Sequence, residues 1–380
     1  HDHDPEAIRS GFWGRIVRVV MAKPVISIVL AVSVLVLAAL PYGDLKTGFA
    51  GAETLPDSMP REAYDILARD FEVGLIAPVE FVIDTPRSPE SEALIEALRA
   101  DLATDPGFAT EDFTTTWNDA NDLAHVTVPM TYAGSSQEAI DEIHQMRDDV
   151  VPRIFGPIES DVYVTGEIAF TADFLTLVDD WTPIVFAFVL GLSFILLLVV
   201  FRSIVVPLKA ILMNLLSVGA AYGLIVLVFQ KGYLADFFGF DTTPSIEAWI
   251  PIFLFCVLFG LSMDYHVFLL SRIREHYDLT HDNRESVAVG LHTTARIITG
   301  AALIMVAVFS GFAAGELIML QQVGFGLAVA VLIDATIIRT IVVPAAMALL
   351  GDRNWYMPSW LSWLPDLRVE GDLERNPTAD

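Results

Sequence analysis

Residues 250–274 read IPIFLFCVLFGLSMDYHVFLLSRIR. About 20 mainly apolar residues in an α-helix cross the hydrocarbon core of a bilayer, so this stretch predicts a membrane-spanning helix. It nevertheless carries Asp264, Tyr265 and His266 well inside its apolar limits. An ionisable side chain at membrane depth is costly and usually faces a protein interior, where it has a function. The alternative is a carboxylate that serves only to hold helices together.

The composition of the whole chain agrees with a membrane protein. Of its 380 residues, 54% are hydrophobic, which is more than an ordinary soluble domain carries. The single cysteine, Cys256, excludes a disulfide within the chain. The net charge is -26, and residues 44–180 hold 29 acidic and only 7 basic side chains. Nucleic-acid surfaces carry the opposite sign, so we expect no nucleic-acid partner.

Six apolar segments predict a bundle of six membrane-spanning helices. They are residues 24–40, 183–201, 207–229, 250–271, 295–312 and 317–350. The last segment is too long for one span and is interrupted by Asp334 and Arg339, so its first turns are expected outside the hydrocarbon. The predicted organisation is a cytoplasmic amphipathic lead-in (1–23), a first span (24–43), an extracytoplasmic domain (44–180), a bundle of five further spans (181–350) and a cytoplasmic tail (351–380).

The domain between the first two spans has the pattern of an α+β fold. The predicted elements after a first helix at 58–71 are a strand at 78–85, a helix at 88–104, strands at 112–118 and 124–131, a helix at 136–150 and a strand at 161–165. The order β-α-β-β-α-β is typical of a ferredoxin-like domain. A further helix at 168–180 leads back to the membrane. No nucleophile pattern or phosphate-binding glycine loop stands out in this domain.

The distribution of lysine and arginine predicts the orientation of the spans. Four basic residues precede the first span, and the 272–296 loop contains four more. The 231–249 loop has only Lys231, and the turn near Gly315 has none. Cytoplasmic loops carry the excess of lysine and arginine, so both termini are expected in the cytoplasm of a multi-pass cell-membrane protein.

The sequence resembles the MMPL family of the RND superfamily over essentially its whole length. The motif GLSMDYHVFLLSRIRE at 260–275 is similar to the Asp-Tyr helix of that family. Four further stretches also resemble it: TLPDSMPREAYD at 54–65, GAALIMVAVF at 300–309, GFGLAVAVLIDATIIR at 324–339 and GDRNWYMP at 351–358. The match is best to the second half of the family's doubled chain. It implies half of an RND transporter, with the domain at 44–180 as its porter domain.

The resemblance implies that the Asp-Tyr pair is a proton relay, and the sequence adds a physical account of it. Asp264 lies 14 residues into its span, ~21 Å from the outer end. We expect Asp264 to carry the proton, with Tyr265 as its hydrogen-bond partner and Phe268, four residues on, stacked on the same face. A carboxylate that alternates between a nearby cation and an isolated apolar site can load and release a proton.

Asp334 and Arg339 are the nearest candidates for ionic partners of Asp264 at similar depth. Five residues separate them, so on an α-helix they would not face each other well, and Arg339 could also mark the inner membrane boundary. His266 lies off the Asp264 face and is not expected to take part. Asn214 and Ser217 are weakly polar residues that suit close helix packing.

The expected function is secondary active transport rather than enzymatic catalysis. The resemblance implies proton-driven export of lipids or other hydrophobic molecules, with protons as the coupling ion and no cofactor or metal. Membrane lipids, a hydrophobic or lipid substrate, and a second RND half or further copies of the chain would be its partners. Two alternatives remain: a SecDF-like subunit for proton-driven protein translocation, and a non-transporting RND-like lipid receptor or scaffold.

Overall fold

The computed structural model describes residues 18–49, 51, 54–70, 77–132, 136–156, 161–361 and 363. The predicted lead-in lies outside the described residues up to position 17, and the predicted tail lies outside them from 364 onward. The chain divides into two units. The first, the membrane unit, contains the described parts of residues 1–45, 182–244 and 249–380. The second unit contains those of 46–181 and 245–248.

The elements follow one another along the described chain in this order: α1 (Pro24–Ala39), β1 (Thr47–Gly48), α2 (Met59–Asp70), β2 (Val79–Asp84), α3 (Pro89–Leu102), β3 (Thr114–Trp117), β4 (Leu123–Val128), α4 (Gln137–Gln145), α5 (Val151–Phe155), β5 (Asp161–Thr165), α6 (Glu167–Phe201), α7 (Val205–Ile225), α8 (Ala235–Phe238), β6 (Ile246–Glu247), α9 (Ile250–Thr280), α10 (Asn283–Ala313), α11 (Ile318–Ile333) and α12 (Val343–Leu350). In the described parts of the chain, three π-helical segments extend or join these helices: Met146–Val150, Val226–Gln230 and Asp334–Val342.

Six helical stretches of the described chain are long and apolar enough to cross a membrane, as the sequence predicts. Their bounds are Pro24–Asp44, Glu167–Phe201, Val205–Gln230, Ile250–Thr280, Asn283–Ala313 and Ile318–Trp355. The helix predicted at 168–180 and the span predicted at 183–201 form one continuous helix, α6, with Pro183 inside it. A membrane-spanning helix tolerates an internal proline because neighbouring groups can satisfy the freed backbone carbonyl.

Small residues bring α1 and α7 into close contact. A Cβ atom added to Gly223 on α7 would lie 2.0 Å from the backbone oxygen of Ala38 on α1. Gly219, one turn earlier, would place a Cβ atom 3.7 Å from Ala39 Cβ, which is ordinary contact. The two glycines form a GxxxG spacing, which lets helix backbones approach each other within a bilayer. This approach helps to position α7, which carries part of the site described below.

The second unit contains a four-stranded antiparallel sheet with the order β3-β4-β2-β5. In the central strand β2, Val79, Phe81 and Ile83 are fully buried and alternate with less buried residues, since successive side chains of a strand point to opposite faces. Phe81 pairs with Val126 on β4 and with Val164 on β5. The core also contains apolar residues of α3 and α4. The predicted strands and helices of this unit agree with the observed ones to within a few residues at their ends.

Ser88 is the N-cap residue of α3. Its hydroxyl oxygen accepts a hydrogen bond from the Ser91 backbone N–H at 3.1 Å, and the Ser91 hydroxyl oxygen accepts one from the Ser88 backbone N–H at 2.8 Å. This reciprocal capping satisfies two backbone donors that have no partner inside the helix. The unit also includes a short parallel pairing of β1 with β6, in register at Thr47 and Ile246.

Candidate functional site

Asp334 and Arg339 form an ion pair inside the membrane unit. Arg339 Nη2 donates to Asp334 Oδ2 at 3.2 Å. Arg339 is only 3% exposed and Asp334 only 8% exposed. The expectation that they would not face each other was wrong, because Asp334–Val342 is π-helical rather than α-helical. In a π-helix the backbone hydrogen bonds join residues five apart, and such turns often occur at functional sites.

Tyr265 contacts this ion pair through its aromatic ring. The Arg339 guanidinium carbon lies 5.0 Å from the centre of the Tyr265 ring, within the range of a cation–π interaction. The Tyr265 hydroxyl lies 3.5 Å from Met305 Sδ on α10, a weak acceptor. Tyr265, Asp334 and Arg339, three of the five residues singled out from the sequence, are therefore brought together.

Asp264 and Phe268 are not part of this cluster. Both side chains are exposed on α9, four residues apart and thus on one face of the helix. Among the described residues, the Asp264 carboxylate has no hydrogen-bond or ion-pair partner, and Arg339 is paired with Asp334 instead. The structure thus separates the neighbours Asp264 and Tyr265, which point about 100° apart around the helix. Their predicted roles in a relay remain predictions.

A cavity of about 20 Å³ adjoins the ion pair and the tyrosine. Residues of α7, α9, α10, α11 and the π-helical segment line it, and most of these residues are apolar. Its polar lining residues are Asn214, Ser217, Ser262, Tyr265, Asp334 and Arg339. An apolar pocket with a few convergent polar groups is the usual form of a small-molecule or ion pathway in a helical bundle.

Asn214, Ser262 and His266 belong to the same polar cluster, although the sequence pattern predicted no role there for any of them. Ser262 Oγ donates to Asn214 Oδ1 at 2.8 Å, which joins α9 to α7. His266 Nδ1 lies 3.2 Å from the backbone oxygen of Ser262. All three residues are buried. The spacing of four between Ser262 and His266 was a visible signal of a shared face, but the sequence does not reveal which face of a nearly uniformly apolar helix is buried.

A second polar cluster connects α7 with the segment that follows α12. Lys209 Nζ donates to Asn354 Oδ1 at 3.1 Å, and Ser203 Oγ donates to the Asn354 backbone oxygen at 2.6 Å. Asn354 and Asn283 both donate to the backbone oxygen of Met347. Asn354 is fully buried, so these bonds satisfy polar groups that would otherwise be costly inside the protein.

The described parts of the chain contain no group of three or more histidine, cysteine, aspartate or glutamate side chains that could hold a metal ion.

A family model described as the MMPL family matches residues 75–363. The chain belongs to the MMPL family. MmpL11 of Mycolicibacterium smegmatis, named as an exporter of mycolic acid-containing lipids, is 35% identical over 382 residues, which covers 99% of this chain and 40% of that protein. MmpL3 of the same organism, named as a trehalose monomycolate exporter, is 31% identical over 380 residues and 97% of this chain, but 37% of that protein.

This MMPL chain thus spans less than half the length of these curated relatives. Its family membership and six apolar helices identify it as a multi-pass membrane protein. The crystal structure of SecDF in its super-membrane-facing form superposes on it with a TM-score of 0.41 and 14% identity, covering 88% of this chain and 39% of that one. A likeness at that level carries no argument about function. MMPL relatives are named as transporters, which fits a chain that is not an enzyme.

Proposed function

We propose that this chain forms one half of a proton-driven exporter of lipids or other hydrophobic molecules. The observation that carries the proposal is the buried Asp334–Arg339 pair, packed on Tyr265 beside a cavity among apolar helices. Buried ionisable groups in a membrane-spanning bundle commonly mark proton relays and transport pathways. The lipid-exporter names of the MMPL relatives support the class of substrate.

Asp264 is the residue that we propose carries the proton across the boundary of the bundle. Its carboxylate is exposed within this chain, and an ionised side chain that faces lipid is costly. A second RND half, or another copy of this chain, would cover the face of α9 that carries Asp264 and Phe268. The relatives are more than twice as long as the matched region, which supports such a second half.

We further propose that the unit of residues 46–181 and 245–248 is an extracytoplasmic, ferredoxin-like porter domain of a cytoplasmic-membrane protein. Its strand order β3-β4-β2-β5 and its sequence of elements support the fold class. The bias of lysine and arginine supports cytoplasmic termini. This unit would pass hydrophobic substrate outward from the membrane, and its large negative charge does not argue against that role.

The transport proposal is tested in sealed vesicles that contain the full-length protein and a fluorescent short-chain phospholipid analogue. We expect gradient-dependent movement of the probe by the native protein, its loss in Asp264→Asn, and its retention in Asp241→Asn, which changes an exposed loop carboxylate. Full transport by Asp264→Asn would remove that residue from the relay. The absence of any gradient-dependent signal from the native protein would overturn the proposal itself.

The orientation is tested separately by labelling with a membrane-impermeant maleimide. The single cysteine allows a Cys256→Ala background, into which one cysteine is introduced at Asp122, in the turn between β3 and β4, or at His281, between α9 and α10. Labelling of position 122 but not 281 in intact cells is expected. The reverse pattern would place the predicted porter domain in the cytoplasm.

A further inference from the structure

The segment between α7 and α9 presents a patch of large apolar side chains on the surface of the chain. We call residues 231–240 the aromatic loop. Its exposed apolar residues are Tyr233, Leu234, Phe237 and Phe238. Phe237 is 80% exposed. A contiguous apolar patch of this kind commonly marks a contact with a protein or with a membrane.

The aromatic loop is bonded directly to the end of the preceding span. The Tyr233 backbone N–H donates to the Leu227 backbone oxygen at 3.0 Å, and Leu227 lies inside the apolar stretch Val205–Gln230. Beyond the loop, the Thr243 backbone N–H donates to the Phe229 backbone oxygen at 2.9 Å. The chain therefore folds back onto the end of the span at both sides of the loop, rather than extending away from the membrane.

Aromatic rings hold the loop against α7 and α11. The Phe240 ring centre lies 5.0 Å from that of Phe229 and 5.8 Å from that of Phe325. The Phe238 ring centre lies 5.5 Å from that of Phe325. Phe325 is seven residues beyond Ile318, where α11 and its apolar stretch begin, which is about 10 Å along the helix. The loop thus lies beside the apolar part of α11 and not above it.

The backbone of the loop has a fixed and uncommon conformation. Leu234 has a φ of 66° and a ψ of 7°, in the left-handed region that large side chains rarely adopt. The side chain of Lys231, at the start of the loop, pairs with Asp44 at the end of the first apolar stretch. Strained residues persist where the surrounding structure fixes them, and they concentrate at functional segments. A fixed loop that exposes a strained leucine points to a contact outside this chain.

The position and charges of the patch favour lipid over a protein as the partner. The loop connects two stretches that can span a membrane, Val205–Gln230 and Ile250–Thr280, which places it at a surface of the bilayer. Asp236 lies within the patch, and its side chain is exposed. The centres of protein interfaces are depleted of charged residues. Segments that lie in a membrane surface instead combine apolar and aromatic side chains with charged ones.

We propose that the aromatic loop is a lipid-binding surface that inserts Tyr233, Leu234 and Phe237 into the boundary between the headgroups and the acyl chains of the bilayer. Phe238 and Phe240 anchor the loop to the spans, and Asp236 stays at the level of the headgroups. The partner is membrane lipid, bound through its apolar upper acyl region. This inference goes beyond the proposed export activity, because the loop would rest in the bilayer without a transported molecule or a proton gradient.

The insertion is tested by fluorescence quenching of the full-length protein in vesicles of phosphatidylcholine brominated on its acyl chains. In the Cys256→Ala background, bimane labels Phe237→Cys, with two reference positions. Leu192→Cys is exposed within the apolar stretch of α6, and Asp122→Cys is exposed in the turn between β3 and β4. We expect the brominated lipid to quench the label at 237 at least about threefold more than that at 122, and to approach the quenching at 192.

Aqueous iodide distinguishes the ways in which the inference fails. Iodide that quenches the label at 237 as strongly as that at 122, with little effect of the brominated lipid, would place the loop in water and overturn the inference. A label at 237 that neither quencher reaches would show that protein covers the loop, which overturns it as well. Tyr233→Cys provides a second exposed position in the patch, and the same quenching pattern is expected there.

Discussion

Arg339 Nη2 lies 3.2 Å from Asp334 Oδ2, although five residues separate the two along one helix. The π-helical geometry of Asp334–Val342 makes this contact possible. Both side chains are buried, so each charge compensates the other in an apolar interior where an isolated charge would be costly. The pair is therefore more sensitive to the loss of one partner than to the loss of both.

Replacement of Arg339 by methionine is expected to destabilise the protein by about 3–5 kcal/mol, because Asp334 is left as an unpaired buried charge. The double variant Asp334→Asn with Arg339→Met should recover a large part of that loss. Denaturant unfolding of the full-length protein in detergent measures both effects. Arg296→Met, at an exposed position of α10, is the control. A double variant no more stable than Arg339→Met alone would show that the pair does not act through charge compensation.

The ring of Tyr265 is expected to matter more for stability than its hydroxyl group. The Arg339 guanidinium lies over the ring, whereas among the described residues the hydrogen-bond partner of the hydroxyl is the weak acceptor Met305 Sδ. Tyr265→Phe should thus change the free energy of unfolding by less than about 0.5 kcal/mol, and Tyr265→Leu should cost about 1–2 kcal/mol more. The same unfolding measurement checks this. Equal losses in the two variants would assign the contribution to the hydroxyl instead.

The contact between α1 and α7 should tolerate an added methyl group at one glycine but not at the other. Gly223→Ala places its Cβ against the Ala38 carbonyl oxygen, so we expect a loss of about 1–3 kcal/mol from overpacking. Gly219→Ala, on the same face of α7, meets only ordinary contact and serves as the matched control. Thermal unfolding monitored by loss of helical signal distinguishes the two. A Gly219→Ala variant as unstable as Gly223→Ala would contradict the proposed close approach.

Glu142 on α4 is expected to make the second unit less stable as the pH rises. Burial raises the pKa of its carboxyl group, and the negative charges of Asp105 and Asp141 raise it further. A carboxyl group whose pKa is higher in the folded state than in the unfolded state contributes stability. That stability is fully present below the unfolded-state pKa and is lost as the pH rises through the folded-state pKa. Glu142→Gln should therefore stabilise the unit at neutral pH, by no more than about 1 kcal/mol at this partly exposed position, and have no effect at low pH.

Hydrogen exchange of the β2 amides in the full-length protein, corrected for the intrinsic rate at each pH, measures this effect on the second unit. Glu96→Gln, an exposed carboxylate in the middle of α3, is the control. Stabilisation by Glu142→Gln that is the same at low and neutral pH would show that the charge of Glu142 is not its cause.

Local patterns in the sequence were enough to determine the six membrane spans and most elements of the second unit. Hydropathy over about 20 residues depends on composition and not on the neighbours that a helix contacts, so the spans could be predicted directly. The strands around Phe81 alternate between buried and less buried residues, and Ser88 carries a capping pattern. Both signals are contained within a few consecutive residues.

The membership of the polar cluster was decided by the tertiary structure. Helices such as α9 are apolar almost all round, so their sequence does not indicate whether the face of Asp264 or that of Tyr265 and His266 is buried. The π-helical turn that joins Asp334 to Arg339 has no recognisable signal in the spacing of residues, which on an α-helix predicts separation. Sequence determined which chain segments enter the membrane; the packing of α7, α9 and α11 determined which of their few polar side chains meet, because those contacts join residues far apart along the chain.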